Sequence, residues 1–172
     1  AESLSVAKTS VTRCYDEIEV LELPYIKTKS RSRLFSTVGN AKEMWEQIRD
    51  ALRNPILQQF QFKNNINHEG VLSGMSALSV YSMLGDNPYP IYAVSKKEIG
   101  ELLTENKLLH SSADMPGCVV QELGYVIKFN KNQVIDPLSV ALMITDSELN
   151  DPRVSKAVDE MLEAEVWSRT KN

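Results

Sequence analysis

Apolar residues near the start of the chain fall into one clear rhythm. Val11, Cys14, Ile18 and Leu21 recur at spacings of three, four and three, with Tyr15 beside them, and that spacing is one stripe of a 3.6-residue helix. The pattern predicts a helix over residues 4–23 with a buried face, stopped by Pro24. Residues 25–28 and 33–37 are short and β-prone. Lys29, Ser30, Arg31 and Ser32 turn the chain between them, which predicts a hairpin.

The rhythm continues beyond Gly39. Asn40 is placed to cap a helix in which Met44, Trp45, Ile48, Ala51 and Leu52 repeat at helical spacing, ended by Asn54 and Pro55. Residues 56–67 interleave amides with Phe60, Phe62 and Ile66, a pattern open to a short helix or a strand. Ser73 is expected to cap a helix carrying Met75, Leu78 and Met83, with Gly85 at its end. Residues 91–94 read as a buried strand. Ser95 and Glu98 then stand at capping-box spacing, ahead of a helix that turns Ile99, Leu102 and Leu103 inward. Residues 118–122 and 125–129 read as one strand interrupted at Gly124 or as two. Asp136-Pro137 and Asp151-Pro152 each open a helix, with proline where its missing N–H costs nothing. The second lines up Val154, Ala157, Val158, Met161, Leu162 and Val166 on one face, to close the core or, less favoured, to supply a dimer face. The fold class expected is α+β.

The polar positions of the first helix change the picture. Opposite the stripe stand Lys8, Thr9, Ser10, Thr12 and Arg13, and acids begin only at Asp16. Short hydroxyls and cations at the positive end of a helix suit phosphates and base edges. Between Pro24 and Val38 the hairpin carries Lys27, Lys29, Arg31 and Arg33 and no acid. The same arrangement also fits a solvated helix in an ordinary α+β domain.

An amphipathic helix followed at once by a basic hairpin, above all the run Ala7-Lys8-Thr9-Ser10-Val11-Thr12-Arg13, resembles the winged helix-turn-helix family of bacterial transcriptional regulators. The resemblance implies that the helix reads double-stranded DNA and that the hairpin is its wing. Lys8, Thr9, Ser10, Thr12, Arg13, Lys27, Lys29, Arg31 and Arg33 are then the DNA-binding residues. That family places two helices ahead of the recognition helix, whereas residues 1–6 are too short for either, so the expectation is an N-terminally truncated chain. The phrases Glu43-Met44-Trp45-Glu46, Leu52-Arg53-Asn54-Pro55 and Tyr81-Ser82-Met83-Leu84 resemble a group of bacterial winged-helix proteins, some of them MarR-like regulators. The order of parts is also similar to the antitoxin of abortive-infection type IV toxin–antitoxin systems, a winged helix followed by an α/β domain. The domain organisation expected is the C-terminal part of a winged helix at 1–38, a connector helix at 39–55, and an α+β effector or partner-binding domain at 56–172.

Charge sharpens this reading. The formal net charge is -4, yet residues 1–38 hold six basic groups against five acidic ones, giving +1 and leaving -5 for the rest. A locally basic surface on an acidic chain suits a protein that reads one site, since phosphate contacts give affinity without sequence preference. Hydrophobic and charged shares of 42% and 24% are those of a soluble globular protein, with no apolar run long enough to span a membrane and no secretory signal. Cys14 and Cys118 are isolated thiols, which favours the cytoplasm.

Chemistry by motif is thin. His68 and His110 are the two histidines and lack a second histidine at ligand spacing, so no metal site and no cofactor are expected. Gly74-Met75-Ser76-Ala77-Leu78 half-matches a nucleophile elbow but has leucine in place of the second glycine. No catalytic residue is assigned, and an enzyme is not expected. The expected function is a sequence-specific DNA-binding transcriptional regulator whose C-terminal domain senses a small-molecule effector, forms a homodimer or binds a partner protein. The alternative is an antitoxin-type interaction module that binds a toxin and uses DNA binding for autoregulation.

Overall fold

A computed structural model describes residues 7–36, 39–66, 70–105, 108, 115–124 and 133–168. The chain is a mixed α+β protein and divides into two compact units, Ala1–Arg49 and Asp50–Asn172.

The first unit runs α1 (Lys8–Val20), β1 (Ile26–Lys29), β2 (Ser32–Phe35) and α2 (Ala41–Ile48). Residues 4–6 of the expected first helix lie outside the described residues. The helix closes before Pro24 is reached. Leu23 N–H donates to the Ile18 carbonyl at 3.2 Å and Glu22 N–H to that of Glu19 at 3.0 Å, with Glu22 at φ 55°. This crossed pair is a Schellman motif, with glutamate in the left-handed position that usually holds glycine.

The buried face expected for this helix needs correction. No residue of α1 is buried: Val11, Tyr15 and Ile18 are half-buried, while Cys14 is exposed and Leu21 is 49% exposed. A two-stranded hairpin and an eight-residue helix offer too little surface to cover the stripe. Tyr25 is the one buried side chain among the described residues of this unit. Its hydroxyl donates to Gln47 Oε1 at 2.5 Å and its ring centroid lies 6.0 Å from that of Phe35, so it ties the hairpin to α2. Asn40 caps α2 as expected, in a capping box with Glu43.

In the second unit, β3 (Ile56–Phe62), β6 (Cys118–Leu123), β5 (Ile91–Val94) and β4 (Val71–Leu72) form one sheet in that order. The β5–β6 pair is parallel and the outer pairs are antiparallel. The parallel pair is joined by a crossover through α4 (Lys96–Glu105), the connection that parallel strands require. Register explains the amide-rich stretch. Phe60 and Phe62 pair with Val120 and Cys118, and these residues build a core with Val94, Ile99 and Leu102 beneath α4. Gln59 and Gln61 alternate onto the opposite face. Over that face lie α3 (Gly74–Tyr81), α5 (Pro137–Met143) and α7 (Pro152–Leu162), burying Ala77, Leu78, Val140, Met143, Val154, Val158 and Met161. The last helix therefore closes the core.

Ser73 stands at the N-cap position of α3, but its hydroxyl makes no capping bond. It turns into the core instead, donating to Gln121 Oε1 and approaching Met143 Sδ at 3.4 Å. Gln121 in turn donates to Gln59 at 3.0 Å. Gln121 is 5% exposed, so its amide must find its partners inside the fold, and the Ser73 hydroxyl is one of them. The devices at Ser95–Glu98, Asp136-Pro137 and Asp151-Pro152 form as expected. One short helix lies outside the expected elements: α6 (Asp146–Leu149), opened by a capping box between Thr145 and Glu148. Residues 125–129, His68 and His110 lie outside the described residues. No helix among the described residues is long and apolar enough to cross a membrane.

Candidate nucleic-acid interface

The polar end of α1 is built for exposure. Ala7 occupies the N-cap position without a side-chain cap, and the first turn holds no acid, so the helix itself brings no negative side chain to the positive end of its dipole. Lys8, Thr9, Ser10, Thr12 and Arg13 are all exposed. Thr12 Oγ1 donates to the Lys8 carbonyl at 3.2 Å, which commits its proton to the helix and leaves its lone pairs free.

The hairpin separates its four cations. Pairing sets Ile26 against Phe35, Lys27 against Leu34, Thr28 against Arg33 and Lys29 against Ser32. Alternation then puts Ile26, Thr28, Arg33 and Phe35 on one face and Lys27, Lys29, Ser32 and Leu34 on the other. Every residue of the second set is exposed, as is Arg31 at the two-residue turn, where Ser30 takes φ 57°. Three cations thus stand along one side and the tip, with no ion pair to an acid among the described residues.

Arg33 behaves differently. Its Nη1 donates to Asp16 Oδ1 at 2.6 Å and to Glu19 Oε2 at 2.9 Å, and its guanidinium carbon sits 5.7 Å from the centroid of the Tyr15 ring. The hydrogen bond to Asp16 is the main reason its pKa stands above the ordinary guanidinium value. Asp16 and Glu19 lie three residues apart, hence on one side of α1. Arg33 locks the hairpin to that side, and its charge is spent within the unit. The pattern along the chain gave two signals for this: the i, i+3 acids, and an arginine in register with Ile26 and Phe35.

Other chemistry among the described residues is structural. Ser76 of the half-matched elbow is buried and accepts the Ile91 N–H at 3.0 Å. Asp136 and Asp151 accept backbone N–H groups at the starts of α5 and α7. No group of three or more His, Cys, Asp or Glu among the described residues is placed to hold a metal ion. No family model, no curated protein and no solved structure matches the chain.

Proposed function

We propose that the chain is a DNA-binding transcriptional regulator whose first unit engages double-stranded DNA, with α1 as recognition helix and the β1–β2 hairpin as wing. The observation that supports this best is the sorting of the hairpin cations, with Lys27, Lys29 and Arg31 exposed and unpaired with any acid among the described residues, while Arg33 fixes the hairpin on α1. Lys27, Lys29 and Arg31 contact the phosphate backbone, and Lys8, Thr9, Ser10 and Arg13 approach the groove from the uncapped helix start. In this reading the second unit carries the regulatory partner, and a cytoplasmic homodimer would set two wings on two half-sites.

The test is binding of the whole chain to a duplex from its own promoter and to a scrambled duplex of equal composition, followed by fluorescence anisotropy. Tighter binding to the promoter, lost on Arg13→Ala combined with Lys27→Ala, Lys29→Ala and Arg31→Ala, is the expected result. Equal affinity for the two duplexes, or none at low salt, overturns the reading.

A further inference from the structure

The second unit holds a groove of about 580 Å³ that the DNA reading does not use. One wall is α7 from its start to Glu160 and the other is the loop after α3. Its floor is apolar, from Met75, Leu84, Val154 and Ala157, and Met83 stands at the rim 97% exposed. Methionines adapt to irregular apolar partners, and they are over-used on surfaces that take helices. From Asp151 to Glu160 the α7 wall rises about 13 Å, the length of two to three turns of a docked helix.

Charge selects the occupant. Both cations on the wall are already paired, Arg153 with Asp151 at 2.7 Å and Lys156 with Glu160 at 3.4 Å. Asp86 on the opposite wall makes no ion pair with a described residue. An anion is disfavoured, because Asp151 caps the start of α7 and takes its Arg153 N–H. The surrounding unit is acidic, with sixteen acidic residues against eleven basic ones over residues 50–172, a net -5. A small molecule would call for buried polar groups converging on an enclosed cavity, whereas the charged side chains here lie on an open rim, with Arg153 85% and Lys156 76% exposed.

We propose that this groove docks a basic amphipathic helix of a partner protein, its apolar face on Met75, Met83 and Val154 and a lysine or arginine on Asp86. This deepens the partner-binding role given to the second unit and does not depend on DNA binding by the first.

The probe is a labelled helical peptide of about fourteen residues with leucines at i, i+3, i+4 and i+7 and lysines elsewhere, beside a glutamate-for-lysine counterpart. The expected result is binding of the lysine peptide alone, weakened about tenfold or more by Asp86→Lys. Met83→Glu decides between a groove and a diffuse field: it adds negative charge, so general attraction predicts tighter binding, and the groove predicts a similar tenfold loss. Glu101→Lys on the exposed side of α4 makes the same charge change as Asp86→Lys and is expected to leave affinity within about twofold. No binding of the lysine peptide, an equal loss in the Glu101 variant, or tighter binding by the Met83 variant overturns the proposal. Circular dichroism of each variant checks the fold, and promoter binding in the same samples separates failure here from failure of the DNA reading.

Discussion

The two classes of hairpin cation make a quantitative prediction about salt. Each cation that neutralises a phosphate contributes about 0.9 to the slope of log affinity against log salt. Replacing Lys27, Lys29 and Arg31 together by alanine should therefore flatten that slope by up to about 2.7. Between about 50 and 200 mM salt, a fourfold change, the wild-type chain should lose about fortyfold more affinity than the triple variant. Arg33→Ala should act by another route. Arg33 is held by Asp16 and Glu19 at 2.6 and 2.9 Å, so its loss removes no phosphate contact. It frees the hairpin and two carboxylates instead, lowering affinity while changing the slope by less than about 0.9. The assay is an anisotropy titration of a labelled duplex at several salt concentrations, with slopes compared among the three proteins. An unaltered slope in the triple variant, or a drop in the Arg33 variant as large as a phosphate contact gives, would refute the division.

Three further outcomes test the fold around these surfaces. Cys14 is exposed, whereas Cys118 is buried and its thiol pKa is raised by that burial, so a thiol reagent should modify Cys14 quickly in the native chain and Cys118 only after denaturation; fast modification of both would contradict the core beneath α4. Glu22→Gly should stabilise the end of α1 by up to about 1 kcal/mol, since glycine pays no Cβ penalty at φ 55°, and a lowered melting temperature would argue against the Schellman closure. Arg153 holds the Asp151 carboxyl below the usual aspartate value, first through the side-chain hydrogen bond and then through the backbone N–H. The stabilisation is therefore complete above the ordinary aspartate pKa and fades as pH falls through the lowered one. Asp151→Asn should melt below the wild-type chain near neutrality, with the gap closing as pH drops below about 4; a constant gap would remove the charge from the explanation.

What was legible along the chain was local. The capping boxes at Asn40–Glu43 and Ser95–Glu98, and the proline starts at Pro137 and Pro152, depend on residues a few positions apart, and they form as read. The box at Thr145–Glu148 was equally legible and marks a helix of only four residues. Ser73 was different, because its competing partner Gln121 lies 48 positions away. Its sequence neighbours favour a cap, and only the folded sheet offers a buried amide that needs the hydroxyl. The stripe on α1 failed for a related reason. Periodicity says which face of a helix prefers burial, and nothing about how much surface the rest of the unit brings to it.

Arg33 shows how far a basic run can mislead and how the pattern corrects itself. Counted along the chain it is one of four equivalent cations. Strand alternation places it in line with Ile26 and Phe35, on the face that half-buries Ile26, and away from Lys27 and Lys29. A half-buried arginine gains from anionic partners, and α1 supplies two from a single turn at Asp16 and Glu19. The acids that appear from Asp16 onward are thus the counter-charge that fixes the hairpin, as well as the place where the helix ceases to be basic. The available charge falls from four cations to three, and those three share one side and one tip. For a protein that must hold a nucleic acid in one orientation, a rigidly mounted set of three is worth more than four cations on a free arm, because the cost of ordering the arm is met within the fold.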